Sequence, residues 1–312
     1  MARHRIGRLV PLALLAVLTG CGAEFDPASW LRETRVLAIE AAPLDVVGDA
    51  EVTLVVRVFV PEGTAVVRER WSVCPLTMGP EGGFACVDAA CETEIEPEAD
   101  GTVRTRPRPL LLACVGDLTT DAGEGRTAAP FDPDELPESV DVVFRYEVED
   151  DTGLERRSIL RLPVWLGDGP AAPNRPPVIT AVTFAGVPAA TGDPVAAVAE
   201  DGRLEVGVLV DAESLDAYED VDGTDLVEEP IVSFFATAGR FDRQQKAGAD
   251  VTTTWTAKEL ADGDSAATFW VLVLDLRGGQ AVAGPFLVPI ERAADDAAAG
   301  GDDDGGDGDG GT

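Results

Sequence analysis

Val140-Asp141-Val142-Val143-Phe144-Arg145-Tyr146-Glu147-Val148-Glu149, the turn Asp150-Asp151-Thr152-Gly153, and a return run carrying Ser158, Leu160, Leu162 and Val164 form the clearest periodic segment of the chain. Val140, Val142, Phe144, Tyr146 and Val148 fall on one side of a two-residue repeat, and Asp141, Val143, Arg145, Glu147 and Glu149 on the other. That period belongs to a half-buried strand, and the Asp-Asp-Thr-Gly joint makes the two runs a β-hairpin. Upstream, Val36–Ile39 (stopped near Pro43), the alternating run Val52–Val60, Val66–Val73 and Leu110–Val115 read as further strands. Downstream, Val178–Phe184, Leu204–Val210, Ile231–Ala236, Val251–Thr256, Phe269–Leu274 and Val282–Ile290 continue the pattern. No helical periodicity of useful length follows the N-terminal segment. The prediction is therefore an all-β chain of two tandem β-sandwiches.

The boundaries follow from composition. Residues 167–177 read GDGPAAPNRPP, a Pro/Gly linker expected to act as an extended, semi-rigid spacer between a first module over 34–166 and a second over 178–291. Residues 75–109 are rich in Gly, Pro and Glu and read as a loop-rich insertion of the first module. The tail over 292–312 is acidic and nearly free of apolar side chains, so it is expected to be disordered. Within the second module, Ile231-Val232-Ser233-Phe234-Phe235-Ala236-Thr237-Ala238-Gly239-Arg240-Phe241, Thr254-Trp255-Thr256, and Phe269–Asp275 before Gly278-Gly279 resemble a bacterial Ig-like or PKD-like extracellular module. The resemblance covers 178–291 and implies sandwich strands with a closing hairpin turn, although the Trp-Asp-Phe-Gly-Asp-Gly run of PKD domains is absent. The first module resembles the same class in its strand pattern and in Trp71.

At the N-terminus, Arg3, Arg5 and Arg8 precede an apolar run from Leu9 to Leu18, then Leu18-Thr19-Gly20-Cys21. This is the layout of a secretory signal peptide, and the run is too short to span a bilayer. The tetrapeptide resembles the bacterial lipoprotein signal. That resemblance implies removal of residues 1–20, acylation of Cys21, a tether over 21–33 and attachment to the cell envelope. With Gly22 rather than Asp in second place, it further implies the outer membrane. Trp30 is expected to pack on the base of the first module, which would stand nearest the membrane while the second extends outward. The whole arrangement is similar to predicted lipoproteins of unknown function from high-GC Gram-negative bacteria.

Charge and residue usage narrow the chemistry. The chain carries 57 acidic and 24 basic residues, net −33, and loss of the signal leaves 21 basic residues and −36. Such a balance repels phosphate backbones and argues against nucleic-acid partners. His4 is the only histidine, so the processed chain has none, which excludes histidine-based triads and histidine metal sites. With Cys21 lipidated, Cys74, Cys86, Cys91 and Cys114 read as two disulfides of open pairing. The alternative of a four-thiolate zinc site lacks the usual C-x2-C knuckles. Asp216, Asp220, Asp222 and Asp225 lie in an acidic loop over 211–230 and are the candidate calcium ligands, although the EF-hand pattern is not met. The nucleophile elbow, the P-loop and the dinucleotide fingerprint are missing, so no catalytic residue is assigned. Trp71, Trp165, Trp255 and Trp270 sit in strand-like runs and are expected in the cores rather than on a sugar platform. The expected function is non-catalytic: a lipid-anchored protein presenting tandem Ig-like domains to a protein or glycan partner, or spacing one. Calcium-dependent adhesion or carbohydrate binding is one alternative, and a carboxylate-pair hydrolase another.

Overall fold

The computed structural model describes residues 28–120, 137–219, 223–260 and 264–292. Cys21, Asp220, Asp222 and the tail from 293 onward lie outside the described residues. The first module comprises Arg35–Ala42 (β1), Val46–Val47 (β2), Val52–Phe59 (β3), Val66–Cys74 (β4), Thr93–Ile95 (β5), Val103–Thr105 (β6), the helix Pro107–Thr120 (α1), Ser139–Asp150 (β7) and Glu155–Trp165 (β8). One sheet runs β1-β3-β6 and the other β2-β8-β7-β4-β5. The β7–β8 hairpin sets Val142 opposite Leu162 and Phe144 opposite Leu160. Its alternation thus sends Val142, Phe144, Tyr146 and Val148 into a core shared with Ile39, Leu54 and Trp71.

The second module comprises Ile179–Phe184 (β9), Val187–Ala189 (β10), Val198–Ala199 (β11), Arg203–Val210 (β12), Ala217–Glu219 (β13), Asp225–Val227 (β14), Ile231–Ala236 (β15), Arg240–Phe241 (β16), Gln245–Ala247 (β17), Asp250–Thr256 (β18), Ala266–Leu274 (β19) and Gln280–Glu291 (β20). Its sheets run β10-β9-β12-β18-β16 and β11-β20-β19-β15-β17, with β13 and β14 forming a separate two-stranded ribbon. Both modules share one wiring. The leading strand pairs antiparallel in one sheet, the chain crosses over, and a short continuation pairs parallel with the final strand of the other: β2 with β8, and β11 with β20. These are two tandem Ig-like β-sandwiches: the alternation predicts the sandwiches, and the resemblance implies the Ig-like class. In the first module the crossing falls at Pro43, which cannot donate to a ladder.

Phe269 centres the second core. Trp255 lies 5.0 Å from it, and Phe184 and Phe241 each 5.7 Å, all edge-to-face. The Trp255 Nε1 donates to the Ala238 carbonyl at 3.0 Å. The next residue must be glycine: Gly239 has φ +75°, and a Cβ there would stand 2.4 Å from the Trp255 ring.

Two features differ from the sequence reading. Leu110–Val115 is not a strand but the middle of α1, where Leu111 and Cys114 are buried at helical spacing and Leu112 is exposed. Pro107 and Pro109 fall in the first turn, where an amide N–H has no intrahelical partner to lose. The segment over 75–109 is also more than a loop, since β5 extends one sheet beside β4 and β6 extends the other beside β3. Disulfides join Cys74 to Cys86 and Cys91 to Cys114, the second linking this segment to α1.

The insertion covers the outer face of β7 through one buried cation. Arg145, 8 % exposed, donates to Glu92 at 2.7 Å and to the Phe84 carbonyl, while the Ser72 hydroxyl donates to the same Glu92 oxygen at 2.8 Å. Burial opposes ionisation of Glu92, but the Ser72 and Arg145 hydrogen bonds outweigh it and hold the carboxyl below its ordinary value. Arg145→Ala should lower unfolding free energy by about 2–3 kcal/mol, because it strands Glu92 and a buried carbonyl. Urea unfolding monitored by tryptophan fluorescence would measure the loss, and an unchanged midpoint would contradict this role.

Candidate functional site

The two sandwiches meet along β1 and β20. Side chains complete the backbone there: the Ile39 amide donates to the Gln280 Oε1 at 3.1 Å, and the Val282 amide to a Glu40 carboxylate oxygen at 3.3 Å. The segment preceding β1 straps the seam. β17 covers only Ile231–Ser233 of β15, and residues 29–31 take the edge beyond it. The Leu31 amide donates to the Ala236 carbonyl at 2.9 Å, and the Ala236 amide to the Ser29 carbonyl at 3.0 Å. Trp30 donates its indole N–H to the Gly239 carbonyl, and Leu31 is buried among Leu37, Phe59, Phe235 and Trp270. Trp30 therefore lies on the second sandwich, not on the base of the first.

A buried polar relay ties the linker into the same seam. The Asp45 carboxylate accepts from the Trp165 Nε1 at 2.8 Å and from the Asn174 amide at 2.6 Å. The Asn174 Nδ2 donates to the Asp275 Oδ2 at 3.3 Å and to the Arg277 carbonyl at 3.4 Å. Arg277 continues to Glu228 at 2.9 Å, and Glu228 accepts from the Asp216 amide at 2.9 Å. Burial, with the Asp275 charge adding to it, pushes the Glu228 carboxyl above its ordinary value despite these two donors. Asp275 holds its own turn by accepting from the Arg277 and Gly279 amides, and a Cβ on Gly279 would stand 2.0 Å from the Asp275 Oδ2. The linker is pinned at Asn174 and Arg175.

Two clefts flank the strap. A groove of about 1050 Å³ runs between the modules, with Phe59, Glu62, Thr237, Thr268 and Trp270 on its walls. On the other side a cleft of about 650 Å³ is lined by Trp30, Arg32, Glu33, Arg35, Arg156 and Arg157, among others. Thr34 fixes its floor by donating to the Asp150 Oδ2 at 2.5 Å. The other Asp150 oxygen accepts from the Thr152 hydroxyl and amide and from the Leu154 amide, closing the hairpin turn.

Of the candidate calcium ligands, Asp216 is buried and both its oxygens are engaged by Arg175, through the backbone amide, Nε and Nη2 at 2.5–2.9 Å. Asp225 is exposed on β14. Among the described residues, no group of three His, Cys, Asp or Glu side chains is placed to hold a metal ion. Trp71 and Trp255 are buried in the cores, Trp165 serves the relay, and Trp270 packs edge-on to Phe59 at 5.1 Å. The relay and the arginine cleft are the features that sequence reasoning missed. Their residues are far apart in the chain, and no local pattern in the sequence links them.

No family model matches the chain, and no curated protein matches it. Solved structures similar to it include fibronectin(III)-like modules of CbhA from Clostridium thermocellum (10 % identity, 83 % of this chain and 95 % of that one, TM-score 0.25). The D00–D0 domain of Intimin is another (11 %, 81 % and 100 %, TM-score 0.22). A third is SGBP-B of the Bacteroides ovatus mixed-linkage glucan utilization locus, solved with a mixed-linkage heptasaccharide (11 %, 84 % and 71 %, TM-score 0.22).

The Asp150 cluster makes acid stability testable. The Thr152 and Thr34 hydroxyls, with the Leu154 and Thr152 amides, hold its carboxyl at about 2. An unfolded aspartate titrates near about 4, so this contribution to folding is present above that pH and is lost as pH falls toward about 2. Asp150→Asn should flatten the acid limb of the thermal-midpoint profile between about pH 4 and 2. A limb as steep as that of the unsubstituted chain would count against the assignment.

Proposed function

We propose that the protein is a non-catalytic, lipid-anchored binding or spacer unit of the cell envelope, held through Cys21 at the outer membrane and presenting its two sandwiches as one body. The observation that carries this reading is the strap. Residues 29–31 bond to β15 of the second module immediately before β1 of the first begins, so an upstream anchor holds both modules at their seam. In this arrangement neither module stands outermost, and the composite face formed by both is what a partner meets. A structural use of the carboxylates also supports a non-catalytic role: Asp45, Asp150, Asp216, Glu228 and Asp275 are all buried and all engaged by donors that build the fold.

Carbohydrate binding is a second reading, favoured by the inter-module groove, where Trp270 is flanked by Thr237, Thr268 and Glu62. An aromatic wall with a few polar groups suits a sugar ring. Titration with an oligosaccharide panel should then quench tryptophan fluorescence, and a flat response across the panel would dismiss this reading.

Metabolic labelling with an alkynyl fatty acid should tag the protein and place it in the membrane fraction, whereas Cys21→Ser should be untagged and released. Equal labelling of both forms would refute the anchor. The one-body arrangement predicts a single calorimetric unfolding transition, and Asn174→Ala combined with Trp30→Ala should split it into two. Two transitions in the unsubstituted chain would show that the modules are independent.

A further inference from the structure

The cleft beside the strap reverses the charge of the molecule. In a chain of net −33, Arg32, Arg35, Arg156 and Arg157 line one concavity against, among the described residues, a single lining carboxylate, Glu33. Arg156 pairs with Glu33, Arg157 pairs with Glu147 at 2.5 Å, and Arg32 stacks 3.9 Å over Trp30. Arg35 differs: its guanidinium is half-buried, donates to the Ala28 carbonyl and lies 5.2 Å over the Phe235 ring. Among the described residues no carboxylate oxygen lies within 4 Å of it.

Among the described residues this half-buried cation is answered only by a carbonyl and a ring, which leaves it under-compensated there, and a second cation sits close enough to repel it. Burial, and then repulsion from Arg156, pulls the Arg35 guanidinium below its ordinary value. The missing charge has a definite chemistry. Guanidinium groups present planar forks of N–H donors that match tetrahedral oxyanions and carboxylates, and they favour bidentate contact. Two mutually repelling arginines are better balanced by a dianion than by a monoanionic carboxylate. A phosphate monoester carries about −1.5 to −2 at neutral pH. A cleft of about 650 Å³ also has room beside the phosphate for the group it esterifies, with Trp30 and the Ser158 side chain on the wall.

We propose that this cleft binds a phosphate monoester, with Arg35 and Arg156 as the anion ligands and Arg32 and Arg157 at the rim. The ester could be a free small molecule or a lipid headgroup, since both present the same group to the arginines. The site does not depend on the anchor, so it is tested on the full chain carrying Cys21→Ser. That chain lacks the acylation site, which keeps failure here separate from failure of the lipoprotein reading.

Calorimetric titration with glycerol 3-phosphate should show saturable binding that weakens as salt is raised, through screening of the rim charges. Arg35→Ala should weaken it at least about ten-fold, the scale of a lost hydrogen bond to a charged group. Arg157→Ala, at an exposed position, should weaken it a few-fold with the fold intact, and Arg104→Ala, outside the cleft, should not change it. Flotation with phosphatidylcholine vesicles, with and without phosphatidic acid, identifies the source. Retention only on phosphatidic acid vesicles, lost in Arg35→Ala, assigns the site to a headgroup, and binding of glycerol 3-phosphate alone assigns it to a soluble ester. Absence of binding in both arms, or equal binding by folded Arg35→Ala and Arg157→Ala variants, overturns the proposal.

Discussion

Asn174 bonds to both sandwiches at once, and the mutual placement of the modules depends on it. Its backbone amide satisfies Asp45 of the first module, and its side-chain amide reaches Asp275 and the Arg277 carbonyl of the second. All the acidic groups involved are buried, and a buried carboxylate without donors is costly. Asn174 therefore completes the hydrogen bonding of a buried carboxylate on each side of the seam, and withdrawing it would leave Asp45 and Asp275 each short of one donor. The apolar contact of Leu31 with Phe59 and Trp270 adds hydrophobic burial, but its non-directional nature would allow sliding that the relay forbids.

Net charge and local charge give different pictures of this surface. An average of −33 implies repulsion of every anion, yet the arginines gathered beside the strap come from positions about 120 residues apart in the chain. The hairpin delivers Arg156 and Arg157 at the start of β8, and the Thr34–Asp150 bond brings the start of β1 against them. Composition describes long-range steering, whereas the cleft is governed by neighbours within a few ångströms, where burial also weakens screening.

Most of the strand framework was legible because alternation is a physical consequence of having one face in a core. β3, β7 and β12 lie where that pattern places them, and β15, β18 and β19 where short runs rich in β-branched and aromatic residues do. The α1 segment was not legible, since Leu110-Leu111-Leu112 is apolar in every direction and carries no period to separate helix from strand. The partners of the proline-rich linker were hidden for a different reason. Composition predicts the stiffness of a free chain, but Asn174 and Arg175 give residues 174–175 specific partners that it does not show. Cysteine spacing announced two bridges without their pairing, which depends on α1 bringing Cys114 to Cys91. The candidate site was least visible, because each of its arginines is unremarkable in its own strand.

The strap also has a mechanical meaning. It runs parallel to β15, and its two backbone bonds flank the single residue Ala236, so tension along the upstream chain loads both bonds together rather than one after the other. That force enters β15 and its neighbour β19 as well as β1, sharing the pull between two cores instead of peeling an edge strand from one. A chain pulled from upstream of the strap should resist detachment of its leading strand under shear.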